Sequence, residues 1–136
     1  ELLGQQREDG GWCQLDGADS DAYATATALV ALHETGMLAA DAAAYQRGVD
    51  YLLHTQHQDG SWHVVSRSNP FQSYYESGFP HGEDQFISTA ASGWAVLALL
   101  AAHESAAALA RPEPATSQLD PDDTAPPPPP VPTKAP

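Results

Sequence analysis

Apolar residues change their spacing along this chain, and the changes outline its elements. Between Asp41 and His57 they recur as Tyr45, Val49, Leu52 and Leu53, with Gln56 continuing the stripe. Steps of three and four predict an amphipathic helix that buries one side, an outer helix. From Phe86 to Ala102 the chain is apolar nearly all round, which predicts an inner helix enclosed on several sides. A second stretch of this kind carries Ala22, Ala24, Ala26, Ala28 and Ala31, small side chains that let backbones approach closely. Ala and Leu dominate and β-branched residues are sparse up to residue 111, so helix is the expected state.

The pattern is also repeated. Leu2, Leu3, Gln6, Gly10 and Trp12 recur as Leu52, Leu53, Gln56, Gly60 and Trp62, and Asp9 and Asp59 precede the two glycines, all at an offset of 50. After each tryptophan comes an inner-type helix, Thr27–Leu32 and Trp94–Leu99, now 67 residues apart, so about 17 residues have entered the second connection. The unit is helix, tight turn, tryptophan, loop, helix. In each turn the Asp starts the bend, the Gly supplies positive φ, and the Trp folds back over the helix end. The Gln, in the last helical turn, has an amide free to bond unpaired carbonyls or the next helix.

Composition removes one segment and several partners. Ten of the 12 prolines lie from Pro112 onward, five of them consecutive at Pro126–Pro130. Residues 112–136 therefore read as a disordered Pro-rich tail, and 1–111 as the folded part. A net charge of −13 with only five Lys and Arg excludes a nucleic-acid partner and disfavours a phosphate-rich ligand. The lone Cys13 excludes an internal disulfide and a Cys-pair zinc motif. No signal peptide is visible, and the longest apolar run, Ile87–Ala102, is shorter than a membrane span. The chain opens on Glu1 and inside a helix, so upstream residues of a larger domain are expected.

The segment Arg47–Trp62 resembles the QW motif of squalene-hopene and oxidosqualene cyclases. Its basic residue, Gly48, aromatic Tyr51, Leu52, Gln56, Gly60 and Trp62 fill the fixed positions, and part of the set recurs from Leu2 to Trp12. The resemblance covers roughly residues 1–105. It implies an all-α fold, a partial α/α-toroid of helical hairpin repeats like those of the cyclases and prenyltransferases. In that family about six hairpins close the ring, and two alone leave an exposed apolar edge that upstream repeats of the same chain would cover.

Three places are candidates for chemistry. Asp19 and Asp21, at the start of an inner helix, resemble a reduced form of the acidic DxDD motif with which class II cyclases protonate an alkene; Ala22 stands where a further acid belongs. The alternative is that they cap the helix. Beside them, Tyr23-Ala24-Thr25 lacks the zinc-binding His that marks prenyltransferases. The long connection His63–Gln85 carries Phe71, Tyr74, Tyr75, Glu76, Phe79, His81, Glu83 and Asp84. Together with Tyr23 its aromatic residues read either as a pocket for a cationic intermediate or ligand, with Glu76 or His81 as acid or base, or as a structural lid over the toroid end. Asp50, His54 and His57 share one predicted helix face opposite Leu52 and read as a solvated polar face; no metal or other cofactor is expected. Cys13 lacks the Gly-Cys-Gly-Glu-Gln context of thioester toroids.

The resemblance thus implies a terpene cyclase-like isomerase with an apolar cavity for an isoprenoid or other lipid, with membrane association compatible. The alternatives are a non-catalytic ligand- or protein-binding toroid module and a purely structural C-terminal domain. Localisation is left open, with a bacterial, extracytoplasmic or membrane-associated setting all compatible.

Overall fold

The computed structural model describes residues 1–69 and 73–111; the expected Pro-rich tail and Phe71 lie outside them. Among the described residues there are three α-helices: α1, Ala22–Glu34; α2, Ala43–Thr55; and α3, Gln85–Leu109. Short 3-10 turns at Leu2–Gln5 and Gly82–Asp84 precede α1 and α3. α1 and α3 pack side by side, and α2 lies against both.

The helices form where local chemistry supports them. Asp21 is the N-cap of α1, its carboxylate accepting from the Ala24 N–H at 2.9 Å, an interaction worth about 1 kcal/mol. Gly36, at φ 69°, ends α1 in the left-handed conformation, and the returning Leu38 N–H bonds the Leu32 carbonyl at 3.0 Å. α2 is amphipathic as its stripe predicts: Tyr45 and Leu52 are fully buried and Val49 nearly so. It is shorter at both ends than Asp41–His57, and Leu53 and Gln56 are exposed.

The core is the contact of α1 with α2 and α3. Ala26, Leu29, Ala91, Ala95 and Ala98 are completely buried, and each leucine buried this way contributes about 1.5–3 kcal/mol. Gly48 makes the approach of α2 feasible, because a Cβ there would lie 2.8 Å from Leu29 Cδ2. Tyr45 ties α2 to α3 through a 2.9 Å hydrogen bond to the Ala98 carbonyl, and burial pushes its phenol up to about 12. Tyr51 ties α2 to the segment before α1, donating to the Ser20 carbonyl at 2.7 Å.

α3 departs from the prediction twice. It is buried along one face only: Phe86, Val96, Leu97 and Leu100 are each about half exposed, because no element of the described residues covers that side. It also runs beyond Ala102, since the alanines that follow sustain helix through His103 and Glu104. The stretch Gly82–Leu109 is consequently long and apolar enough, by length and composition, to cross a membrane, unlike the shorter run read from the sequence. Its inner face packs on α1 in this structure.

Candidate functional site

The two turns that precede α1 and α3 are built alike. Gly10 and Gly60 sit at φ 86° and 85°, which favours glycine at both. The Arg7 N–H bonds the Gly11 carbonyl at 2.9 Å, and the His57 N–H bonds the Ser61 carbonyl at 2.9 Å. Trp12 Nε1 donates to the Leu2 carbonyl at 2.9 Å and Trp62 Nε1 to the Leu52 carbonyl at 2.8 Å. The tryptophan amides then reach a hydroxyl on the following helix, Thr25 and Ser92 respectively, which is the 67-residue offset expressed in contacts. Gln6 Nε2 bonds the Gly10 carbonyl at 2.9 Å and also the Ala44 carbonyl of α2 at 2.8 Å. Gln56, extended and just outside α2, makes only the bond within its own turn.

Of the two candidate acids, Asp21 is committed to local structure. One oxygen caps α1 and the other accepts from Gln14 Nε2 at 3.0 Å. Asp19 is exposed. Neither lines the clefts described below.

The connection after Trp62 is clamped at two points that hold it against the head of α3. Asp84 accepts from the Ser66 N–H at 2.7 Å and lies 2.8 Å from His63 Nε2; the Ser66 amide, then His63, holds its carboxyl below the usual carboxylate range. Gln85, fully buried, accepts through Oε1 from the amide and the hydroxyl of Ser77, and donates through Nε2 to the Tyr75 carbonyl at 2.8 Å. Glu76 accepts from the Tyr74 hydroxyl and from the Gly78 N–H, and the Tyr74 bond holds its carboxyl down. That shift works against an acid role for Glu76.

His81 occupies the left-handed region, at φ 82°. Its Nε2 lies 2.7 Å from the Ser61 hydroxyl, which itself donates to Asp59 at 2.6 Å. The His81 ring stacks on His63 at 4.8 Å and meets His57 edge-on at 5.0 Å; burial, then these two neighbours, pushes its imidazole below the ordinary value. Sequence spacing gave no sign of this trio. It grouped His57 with Asp50 and His54 on a helix face, but α2 stops at Thr55, so His57 leaves that face. His54 instead contacts the Asp50 backbone carbonyl. Among the described residues no group of three His, Cys, Asp or Glu side chains is placed to hold a metal ion.

A cleft of about 630 Å³ opens between the connection and the N-terminal ends of α1 and α3. Tyr23, Tyr74, Tyr75 and Phe86 give it aromatic walls, Ile87 and Ala90 an apolar side, and Glu83 and Asp84 an acidic rim. A shallower hollow of about 420 Å³ adjoins Trp12 and Cys13 and shares Tyr23. Of the residues expected at a pocket, Tyr23, Tyr74, Tyr75 and Asp84 thus come together. Glu76, Phe79 and His81 are not among its described lining residues; Phe79 instead stands 6.4 Å from the His81 ring. Gln85, Ser66 and Phe86 were not among the site residues expected from the sequence. A lone glutamine heading an apolar helix was the available signal for the first of them.

Residues 2–112 match the family model of the squalene-hopene cyclase C-terminal domain. No curated protein and no solved structure matches the chain.

Proposed function

Because the chain belongs to the squalene-hopene cyclase C-terminal domain family, we propose that it forms one arc of an α/α-toroid whose cleft holds an isoprenoid or similar lipid. The observation that carries this reading is the aromatic-walled cleft at the heads of α1 and α3, which lies within the size range of small-molecule sites. Further support for the arc comes from the 67-residue correspondence. Ala26 and Leu29 of α1 are completely buried, whereas their counterparts Gly93 and Val96 on α3 are exposed. One more hairpin of the same kind, from upstream repeats of the same protein, would cover them as α2 and α3 cover α1. Squalene added to the protein is expected to slow amide hydrogen exchange at Tyr74, Tyr75 and Phe86. Unchanged exchange there would remove the proposal.

The cyclase chemistry itself would need a proton donor, and Asp21 with Asp19 is the candidate in this chain. Asp21 spends both oxygens on the cap and on Gln14, which favours the second reading, a binding module that transfers no proton. Turnover of squalene that Asp21→Asn abolishes while leaving the melting temperature unchanged would restore the catalytic reading.

A further inference from the structure

The large cleft carries an asymmetry of charge that a neutral hydrocarbon would leave unused. None of its described lining residues is Lys, Arg or His, while Glu83 and Asp84 stand on its rim. Asp84 is already engaged by Ser66 and His63. Glu83 is exposed and has no salt-bridge partner among the described residues. The rings beside it are left uncovered by the fold: Tyr74 is 55% exposed, Tyr75 69% and Phe86 56%.

Open aromatic faces beside an unpaired carboxylate are the elements that recognise an ammonium group, through the negative face of the ring and the opposite charge together. The net charge of −13 adds a field that draws cations and repels anions. Within the cleft, Phe86, Ile87 and Ala90 form an apolar side at the start of α3, a seat for a hydrocarbon tail.

Resting on the lipid-binding reading above, the geometry points to an organic ammonium with an alkyl tail as the ligand class. The head lies against Tyr74 and Tyr75 beside Glu83, and the tail lies against Ile87 and Ala90.

The test is calorimetric titration of the whole chain with three ligands of one tail length: octyltrimethylammonium, octanol and octanoate. The ammonium is expected to bind about tenfold more tightly than octanol, with octanoate weakest. Glu83→Gln is expected to weaken the ammonium about fivefold and leave octanol unchanged, and Tyr75→Leu to weaken the ammonium more than octanol. Both sites are on the surface, and circular dichroism checks that the variants fold. Octanol binding as tightly as the ammonium, or ammonium binding indifferent to both substitutions, overturns the charge inference and leaves the lipid reading standing. If none of the three binds, both are overturned.

Discussion

The turns around Gly10 and Gly60 are nearly superposable in their own hydrogen bonds and opposite in their surroundings. A Cβ on Gly10 would meet the Arg47 carbonyl oxygen of α2 at 2.4 Å, whereas a Cβ on Gly60 would meet nothing within 4 Å. Gln6 reaches α2, and its Oε1 accepts from Arg47; Gln56 reaches only its own turn. Even the aspartates are satisfied differently. Asp9 takes its hydroxyl from Ser20, packed where Gly11 leaves room, and Asp59 takes it from Ser61 next door. The turn is therefore a local structure that needs no neighbour, while its stapling role appears only at the first turn, where α2 is present to receive it.

The largest test concerns what the turns share. Trp12→Ala and Trp62→Ala should each cost about 3–5 kcal/mol in urea unfolding, and similarly, since the rings are 2% and 1% exposed. A cheap Trp62→Ala would break the equivalence. The glycines should then separate the turns. Gly10→Ala combines left-handed strain with a backbone clash and should cost about 3 kcal/mol or more, against about 1–2 kcal/mol for Gly60→Ala.

Acid should act on the second turn, where His57 and Ser61 stand in place of Arg7 and Gly11. The folded state holds the His81 value below the ordinary 6.5, so its contribution is present above that pH and is lost as pH falls through the lower folded value. Melting curves between pH 7 and pH 4 should lose less stability in His81→Gln than in the parent. Alkali should act on α2 instead. Tyr45 and Tyr51, each raised from 10.0 to about 12, favour folding below pH 10, and that contribution disappears as pH rises through 12. Tyr45→Phe should blunt the loss.

The smallest effects concern the staples. Gln6→Ala should cost about 1–2 kcal/mol, and Gln56→Ala less than about 0.5 kcal/mol, by the same urea measurement. A large effect at Gln56 would mean that its turn is already covered in solution.

What the sequence made legible was whatever depends on short spacing. The α2 stripe could be read because helical period and burial coincide there, and the Asp-Gly-x-Trp turns because each closes its bonds within a few residues. The single-sided burial of α3 could not be read from its own residues, since an apolar surface does not say which side has a neighbour. Gln85 and the trio His57, His63 and His81 were hidden for another reason. The path of the connection brings Gln85 to Ser77 and Tyr75 and the three histidines to one another, across up to 24 residues between His57 and His81, and no periodicity governs that path. At the cleft, residue type drew attention to Tyr74 and Tyr75, while Ser66 contributes mainly through its backbone amide.

At the offset of 67, α1 corresponds to positions 89–101 of α3, so α3 overhangs its partner by the eight residues Ala102–Leu109, about 12 Å at 1.5 Å per residue. Little tertiary burial supports that overhang, and alanine propensity maintains it. Its length is therefore set by the helix–coil balance: warming shortens it from its C-terminal end and cooling restores it, while Ala91, Ala95 and Ala98 stay locked in the core. Order along the last turns of α3 then varies with temperature as a gradient, separately from the cooperative melting of the domain.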